Sequence, residues 1–135
     1  MAYEFSNYSV KVSLVAGADL SSHQYKFVKL NSSGQAILCA ATTDVPVGVL
    51  QNTPTSGQEA EVLVVGGTKL VAAASISGGN GAIQALATDA SGLAAAVTPG
   101  TDTTRYAVGR CITVPGAAND IFTAVIDCSV PQRAS

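Results

Sequence analysis

The stretch Val45–Leu70, VPVGVLQNTPTSGQEAEVLVVGGTKL, decides the fold because it holds the clearest strand, turn and return strand of the chain. Val47 to Leu50 is apolar and follows Pro46, and it runs into a polar loop, as expected of a short strand. Gly57 is the loop residue best able to take a positive φ. Glu59 to Val65 then returns as a second strand, so the stretch predicts a β-hairpin.

The return strand begins with alternating polar and apolar residues, but from Val62 to Val65 both of its faces are apolar. Such a strand is covered on both sides, either by its own domain or by another chain. We therefore expect three residues to lie in the core or in a contact between subunits: Val62, Val64 and Val65. Gly66-Gly67 is predicted to break the run, and Thr68 to Ala73 to form the next strand.

Further strands follow from the same patterns. Ser9 to Val15 alternates apolar and polar residues, which predicts a half-buried strand. Tyr25 to Leu30 carries Lys26 and Lys29 on opposite faces, which favours an edge strand. Ala82 to Val97 could form an Ala-rich helix or a hairpin, and Gly92 in its middle favours the hairpin. The remaining strands are predicted at Ala36–Ala41, Tyr106–Val114 and Ile121–Asp127.

Two parts of the chain resemble each other. VKLNSSGQAILCA (Val28–Ala40) followed by VGVLQNTP (Val47–Pro54) is similar to LATDASGLAAAV (Leu86–Val97) followed by VGRCITVP (Val108–Pro115). In each half, a turn of small residues and another strand come next. Many short strands with regular turns predict an all-β fold, a small β-sandwich or partly open β-barrel built from two similar β-units with little helix.

The predicted organisation is an N-terminal arm (residues 1–8), one β domain (9–128) and a polar C-terminal tail (129–135). The arm contains Tyr3, Phe5 and Tyr8, whereas the whole chain has four Tyr and three Phe. Because a segment this short has no core of its own, it needs a surface on which to pack. That surface belongs either to its own domain or to a neighbouring subunit.

Composition limits the function classes. Charged residues make up 12% of the chain, about half the share of an average soluble domain, which favours assembly over a free monomer. The net charge of −2 and the lack of a basic cluster argue against nucleic-acid or anionic-membrane partners. Glu4 stands where a secretory signal has a basic region, and the three cysteines lie in apolar surroundings, so we expect reduced thiols and synthesis in a cytoplasm.

Residues that could carry chemistry are few. His23 is the single histidine, it lies in the polar stretch SSHQY, and no nucleophile motif accompanies it, so we expect no enzyme activity. The cysteines lack zinc-site spacing, and we expect neither a metal nor a cofactor. The predicted turns contain Asp89, Asp102 and Asp120, where Asp favours local backbone geometry.

Four motifs together resemble those of tailed-bacteriophage capsid cement or head-decoration proteins. They are Val47-Gly48-Val49, Gly57, Glu61 to Gly66 and Ser75 to Gly79. The resemblance covers Val28 to Val97. It implies a β-rich, often trimeric subunit without catalytic activity, which sits outside the mature head and ties capsomers of the major capsid protein together. On that basis the chain is expected to be a virion protein and a homotrimer.

Under this resemblance the arm residues Tyr3, Phe5 and Tyr8 are expected to contact the shell. The alternative from a different class is a carbohydrate-binding or adhesive β-module displayed on a virion or cell. The absence of Trp and the scarcity of aromatic residues argue against this alternative, because sugar rings are bound by stacking on such side chains.

Overall fold

The computed structural model describes residues 9–77 and 84–134, and this part of the chain is all-β, as predicted. No helix occurs in it, so these residues include no helix that could cross a membrane. The strands are β1 (Val10–Val15), β2 (Phe27–Leu30), β3 (Ala36–Leu38), β4 (Gly48–Leu50), β5 (Glu59–Val71), β6 (Ala85–Thr88), β7 (Ala94–Val97), β8 (Tyr106–Ala107), β9 (Gly109–Cys111), β10 (Ile121–Asp127) and β11 (Gln132–Arg133).

Nine of these strands form one curled antiparallel sheet with the order β3-β2-β4-β5-β10-β9-β6-β7, and β1 also pairs with β5. The order contains the same arrangement twice. Hairpin β2–β3 pairs with β4, which pairs with β5; hairpin β6–β7 pairs with β9, which pairs with β10. The prediction of two similar β-units is therefore confirmed. We name them the first unit (residues 10–65) and the second unit (residues 66–127).

Strand β5 belongs to both units. Its residues 59–65 pair with β1, and its residues 65–71 pair with β10. The predicted break at Gly66-Gly67 is wrong, because Gly66 takes a φ of 138° while Gly67 continues the ladder opposite Val125. Glycine lets a strand bend at such a point without ending it. The last strand of the first unit thus runs directly into the first strand of the second.

It follows that β1 corresponds to residues 66–71, a relation that the sequence comparison missed. Two parallel bridges support it: Ala16 pairs with Ala36 in the first unit, and Ala72 pairs with Ala94 in the second. Each bridge joins the end of a unit's first strand to its hairpin. Each unit is thereby curled into a small, partly open barrel.

The two hairpin turns have the same geometry. In the first unit Asn31 Oδ1 accepts the backbone N–H groups of Ser33 and Gln35, both at 2.9 Å. In the second unit Asp89 Oδ1 accepts the backbone N–H groups of the residues two and four positions further along the chain, at 2.7 and 2.8 Å. Gly34 (φ 75°) and Gly92 (φ 74°) complete the turns in the left-handed region that favours glycine. The structure thus confirms the Asp89 turn predicted from sequence.

The Val-Gly pair of each repeat, Val47-Gly48 and Val108-Gly109, lies where two strands approach each other closely. A Cβ on Gly48 would collide with the carbonyl oxygen of Leu63, and a Cβ on Gly109 would lie 2.8 Å from the carbonyl oxygen of Val125. Leu63 and Val125 are corresponding residues of the two units. Both units therefore need glycine at this position.

The core of the first unit lies inside its barrel and comprises buried Ala16, Leu20, Val28, Ala36, Leu50, Ala60 and Val62. A second cluster fills the second unit's barrel and extends onto the outer face of the first unit. Its first-unit members are Phe27, Cys39, Val49 and Leu63. Adjacent residues such as Val62 and Leu63 belong to different clusters, so the first unit's sheet is buried on both faces, as predicted for this strand.

Strand β2 lies between β3 and β4, so its prediction as an edge strand is wrong. Lys29 Nζ lies 2.8 Å from Asp44 Oδ2 in the loop after β3, which accounts for a lysine on an inner strand. The same carboxyl oxygen accepts the backbone N–H groups of Ala40 and Ala41 at 2.7 and 2.9 Å. Burial raises the pKa of Asp44, but these hydrogen bonds outweigh it and hold the pKa below its ordinary value.

The C-terminal segment returns to the second unit. Strand β11 pairs with β8, and Ala134 is buried against Ala87 and Val97 on the outer face of hairpin β6–β7. The N–H of Gly100 donates to the carbonyl oxygen of Ala134 at 2.6 Å. The segment predicted as a polar tail thus includes a short strand and one buried residue.

Candidate interaction surfaces

The contact between the two units defines one interface within the chain. The Phe27 N–H donates to the Gly92 carbonyl at 2.8 Å, so the tip of hairpin β6–β7 rests on β2. Beside it, Gln51 Nε2 donates to Thr68 Oγ1 at 3.0 Å. Lys69 Nζ lies 5.7 Å from the ring centre of Tyr25. Strand β5 and the β6–β7 turn of the second unit therefore cover the outer face of the first.

Among residues 9–77 and 84–134, the corresponding outer face of the second unit is covered only at one corner, where Ala134 packs against the β6–β7 hairpin. Three first-unit residues of this face are fully buried: Phe27, Val49 and Leu63. Their second-unit counterparts by strand register are half-buried Ala85, exposed Arg110 and Val125, which is 39% exposed. The counterpart of Gln51 is Ile112, which is 42% exposed.

A groove of about 460 Å³ crosses this face between the C-terminal segment and the β9–β10 pair. Its floor is the strand residues around Gly109, and Val130 of the C-terminal segment forms an apolar rim that is 66% exposed. Arg110 brings one positive charge to the groove and Asp127 one negative charge. We name the outer face of the second unit, with this groove, the open face.

In the internal contact the second unit contributes one surface, and the first unit has a corresponding surface that is more exposed. Thr88 is 1% exposed, whereas its counterpart Leu30 is 48% exposed. Buried Gly92 corresponds to exposed Gly34, and none of the described residues comes within 4 Å of a Cβ added there. Buried Thr68 corresponds to half-buried Val12. We name the surface of β1 and the β2–β3 turn the docking face.

Two groups of residues were predicted from sequence as contacts. The arm residues Tyr3, Phe5 and Tyr8 lie outside the described residues. Val62 is fully buried in the first unit's core, Val64 packs against the second cluster, and Val65 is half-buried opposite Val10 and Asp127. The docking face was not predicted from the sequence. For the open face, the sequence offers only the apolar run Ile121–Ile126 of β10, which predicts a strand covered either by the domain's own core or by another chain. The signal that could have found both faces is the replacement of large apolar residues by Ala85 and Arg110 in the second repeat.

A local irregularity explains the different environments of these valines. Val10 pairs with Val65, but the next residue of β1 pairs with Leu63, so Val64 is an extra residue in the ladder. A bulge of this kind places two residues of one strand opposite one residue of the other. Leu63 and Val64 consequently both contact the second cluster.

His23 lies beside Lys26, in the loop that precedes β2. Its Nδ1 lies 3.2 Å from Lys26 Nζ. Partial burial, and then the charge of Lys26, lower the pKa of His23. Burial raises the pKa of Cys39 and of Cys128 to about 12, so both are neutral thiols at physiological pH.

The carboxylates predicted to lie in turns have local roles. Asp102 accepts the backbone N–H of Thr98 at 2.7 Å, and Asp120 accepts those of Gly116 and Ala117 at 3.1 and 3.0 Å. These hydrogen bonds explain why Asp occurs there. Within residues 9–77 and 84–134, no three side chains of His, Cys, Asp or Glu come together in a way that could hold a metal ion.

The fold is similar to that of a solved structure. The crystal structure of the N base of head fiber gp8.5 of bacteriophage phi29 is similar with a TM-score of 0.63 and 17% sequence identity, over 93% of this chain and 99% of that chain. At this identity the likeness shows the fold. Comparisons with protein-family models and with curated proteins find no match.

Proposed function

We propose that the chain is a structural protein of a bacteriophage head. The observation that carries this proposal is the fold shared with the head-fiber base over nearly the whole of both chains. The low charge of the chain and its two unequal, partly apolar faces are consistent with a protein that works by assembly. The sequence motifs around Val47-Gly48-Val49 point in the same direction through their resemblance to head-decoration proteins.

In its specific form, the proposal is a capsid cement or decoration subunit that acts as a homotrimer. It binds the outside of the mature head and stabilises contacts between capsomers of the major capsid protein. A protein that binds the expanded shell better than the unexpanded one stabilises it by mass action. The N-terminal aromatic residues Tyr3, Phe5 and Tyr8 are proposed to make the shell contact.

A second candidate is the base of a fiber carried by the head. It is favoured by the name of the similar structure, which is itself a fiber base, and by the 99% coverage of that chain. Both candidates require binding to the capsid. They differ in whether binding strengthens the shell.

The test is cosedimentation of the purified chain with expanded, undecorated capsids and with unexpanded procapsids. Saturable binding to expanded shells alone, with a rise in the temperature at which the shells open, is expected for cement. Binding without that rise supports the fiber base. A chain that stays in the supernatant with both shells contradicts a head-bound role, and glycan binding is then the function to test.

The shell contact is tested separately by replacing Tyr3, Phe5 and Tyr8 with Ser. We expect the variant to keep its light-scattering mass and lose at least tenfold in capsid affinity. A matched control replaces exposed Val45, which lies far along the chain from the arm, with Ser. Saturation of capsids by the arm variant at unchanged affinity would contradict this assignment.

A further inference from the structure

We propose that the open face of the second unit binds the docking face of a second copy of this chain, so that copies associate head to tail. This contact would repeat between chains the packing that joins the two units within one chain. The inference deepens the homotrimer of the proposed function by naming the faces that form it.

Corresponding residues of the two units differ in how far they are exposed to solvent. Corresponding residues of two units with one fold should be equally buried if each unit were self-sufficient. Instead Leu63 is 1% and Val125 39% exposed, while Thr88 is 1% and Leu30 48% exposed. The residues left exposed are those whose counterparts form the internal contact. Within the part of the chain that the structure describes, much of one face of each unit is therefore without a partner, and each of these faces corresponds to one side of the internal contact.

Two residues that meet in the internal contact are polar, and the counterparts of both are apolar. Inside the chain, Gln51 and Thr68 meet through a hydrogen bond of 3.0 Å. Their counterparts are Ile112, on the open face, and Val12, on the docking face. Both polar partners of the internal contact are thus replaced by apolar residues, which suit a direct contact and not a hydrogen bond. Val12 also packs against the core of the first unit, whereas Ile112 is 42% exposed.

The C-terminal segment limits where the second copy fits. Ala134 already covers Ala87 and Val97, so that corner of the open face is occupied. The groove beside β9 and β10 remains open, and Val125 and Val130 provide its exposed apolar surface. Exposed Ile112 directly follows β9. The second copy is therefore placed along the β9–β10 side of the face, next to the C-terminal segment.

The symmetry of such a contact follows from the faces. Each copy uses a different face toward each neighbour, so the interface is heterologous, and it closes into a ring when the rotation between copies allows. Three copies in such a ring leave no open face unpartnered. A twofold dimer, in contrast, would bring the same face of both copies together.

The test uses chemical cross-linking in solution without capsids. The background chain carries Cys111→Ser, because the other two cysteines are buried, protonated thiols. Val12→Cys and Ile112→Cys are introduced in separate chains with different tags. The two chains are co-expressed and treated with a bismaleimide that has a two-carbon spacer, and denaturing electrophoresis shows the products.

We expect a two-chain product from the co-expressed pair, and at least tenfold less of it from either variant alone. The matched control pairs Val12→Cys with Ile121→Cys. Ile121 is 59% exposed and its counterpart Glu59 is exposed too, so neither lies in the internal contact. Each of three outcomes would overturn the proposal. They are the absence of a two-chain product from the Val12→Cys and Ile112→Cys pair, an equal amount of product when Ile121→Cys replaces Ile112→Cys, and an equal amount of product from one variant alone. Capsid cosedimentation is independent of this result, so the two proposals can fail separately.

Discussion

Substituting the two hairpin glycines with Ala separates the packing between units from the conformation of the turns. Gly34 and Gly92 have nearly the same φ, 75° and 74°, so Gly34→Ala and Gly92→Ala carry the same backbone strain. The left-handed conformation costs a non-glycine residue roughly 1–2 kcal/mol, of which about 0.4–1 kcal/mol is offset by the lower entropy of the unfolded chain. Gly34→Ala should therefore lower the free energy of unfolding by roughly 1 kcal/mol.

Gly92→Ala adds a steric conflict that Gly34→Ala lacks. The new methyl group would lie 2.5 Å from Leu38 Cδ1 and 3.0 Å from the Phe27 carbonyl oxygen. At Gly34, no atom of residues 9–77 or 84–134 lies within 4 Å of the added methyl group. Overpacking of this kind typically costs about 1–3 kcal/mol. We therefore expect Gly92→Ala to be more destabilising than Gly34→Ala by about that amount.

The assay is equilibrium unfolding in urea, at a concentration where light scattering gives the single-chain mass for both variants. Equal slopes of the free energy against urea would allow the two midpoints to be compared directly. Equal destabilisation by the two substitutions would refute the reasoning, because it would mean that the β6–β7 turn does not press on the first unit.

Three other predictions follow from single sites. Gly48→Ala should lower the free energy of unfolding, measured in urea, by roughly 2–4 kcal/mol, because the methyl group meets a backbone carbonyl that cannot rotate away. A decrease below about 1 kcal/mol would contradict the close approach of the two strands. Asp44→Ala should cost about 1.5–3 kcal/mol at pH 7. That cost should shrink as the pH falls through the pKa of Asp44 in the folded chain, which is lowered. The charged carboxylate stabilises the fold in full only above the ordinary pKa of about 4. A cost that stays constant down to pH 2 would contradict the role of the charge. Finally, a thiol reagent at pH 8 should label Cys111 first in the native chain, and the two buried cysteines only as fast as the chain unfolds; rapid labelling of three thiols would refute their burial.

The repeat was the most informative part of the sequence. The similarity of Val28–Pro54 to Leu86–Pro115 predicted two like units, and both the hairpin turns and the valine-glycine strands coincide in the structure. The first strand of each unit escaped this comparison, because β1 shares little sequence with Gly66–Val71. Only the hydrogen-bond register shows that the two correspond.

Two errors have a common physical origin, which is that partners distant in the chain decide the outcome. Gly66-Gly67 looked like a strand break, but pairing with β10 holds it in the ladder. Lys29 indicated an edge strand, but Asp44 neutralises its charge beside an inner strand. The docking face was hidden for the same reason, because the exposure of Leu30 acquires a meaning only when its buried counterpart Thr88 is known.

The shared strand β5 also bears on how the chain opens. Opening of the first unit would remove the partners of residues 59–65, and the same continuous backbone supplies residues 65–71 to β10. Local opening in one unit is thus transmitted along a strand that the other unit needs. Amide hydrogens of β1 and β10 should then exchange with solvent in one cooperative event, so that the duplicated chain behaves as a single foldon and not as two.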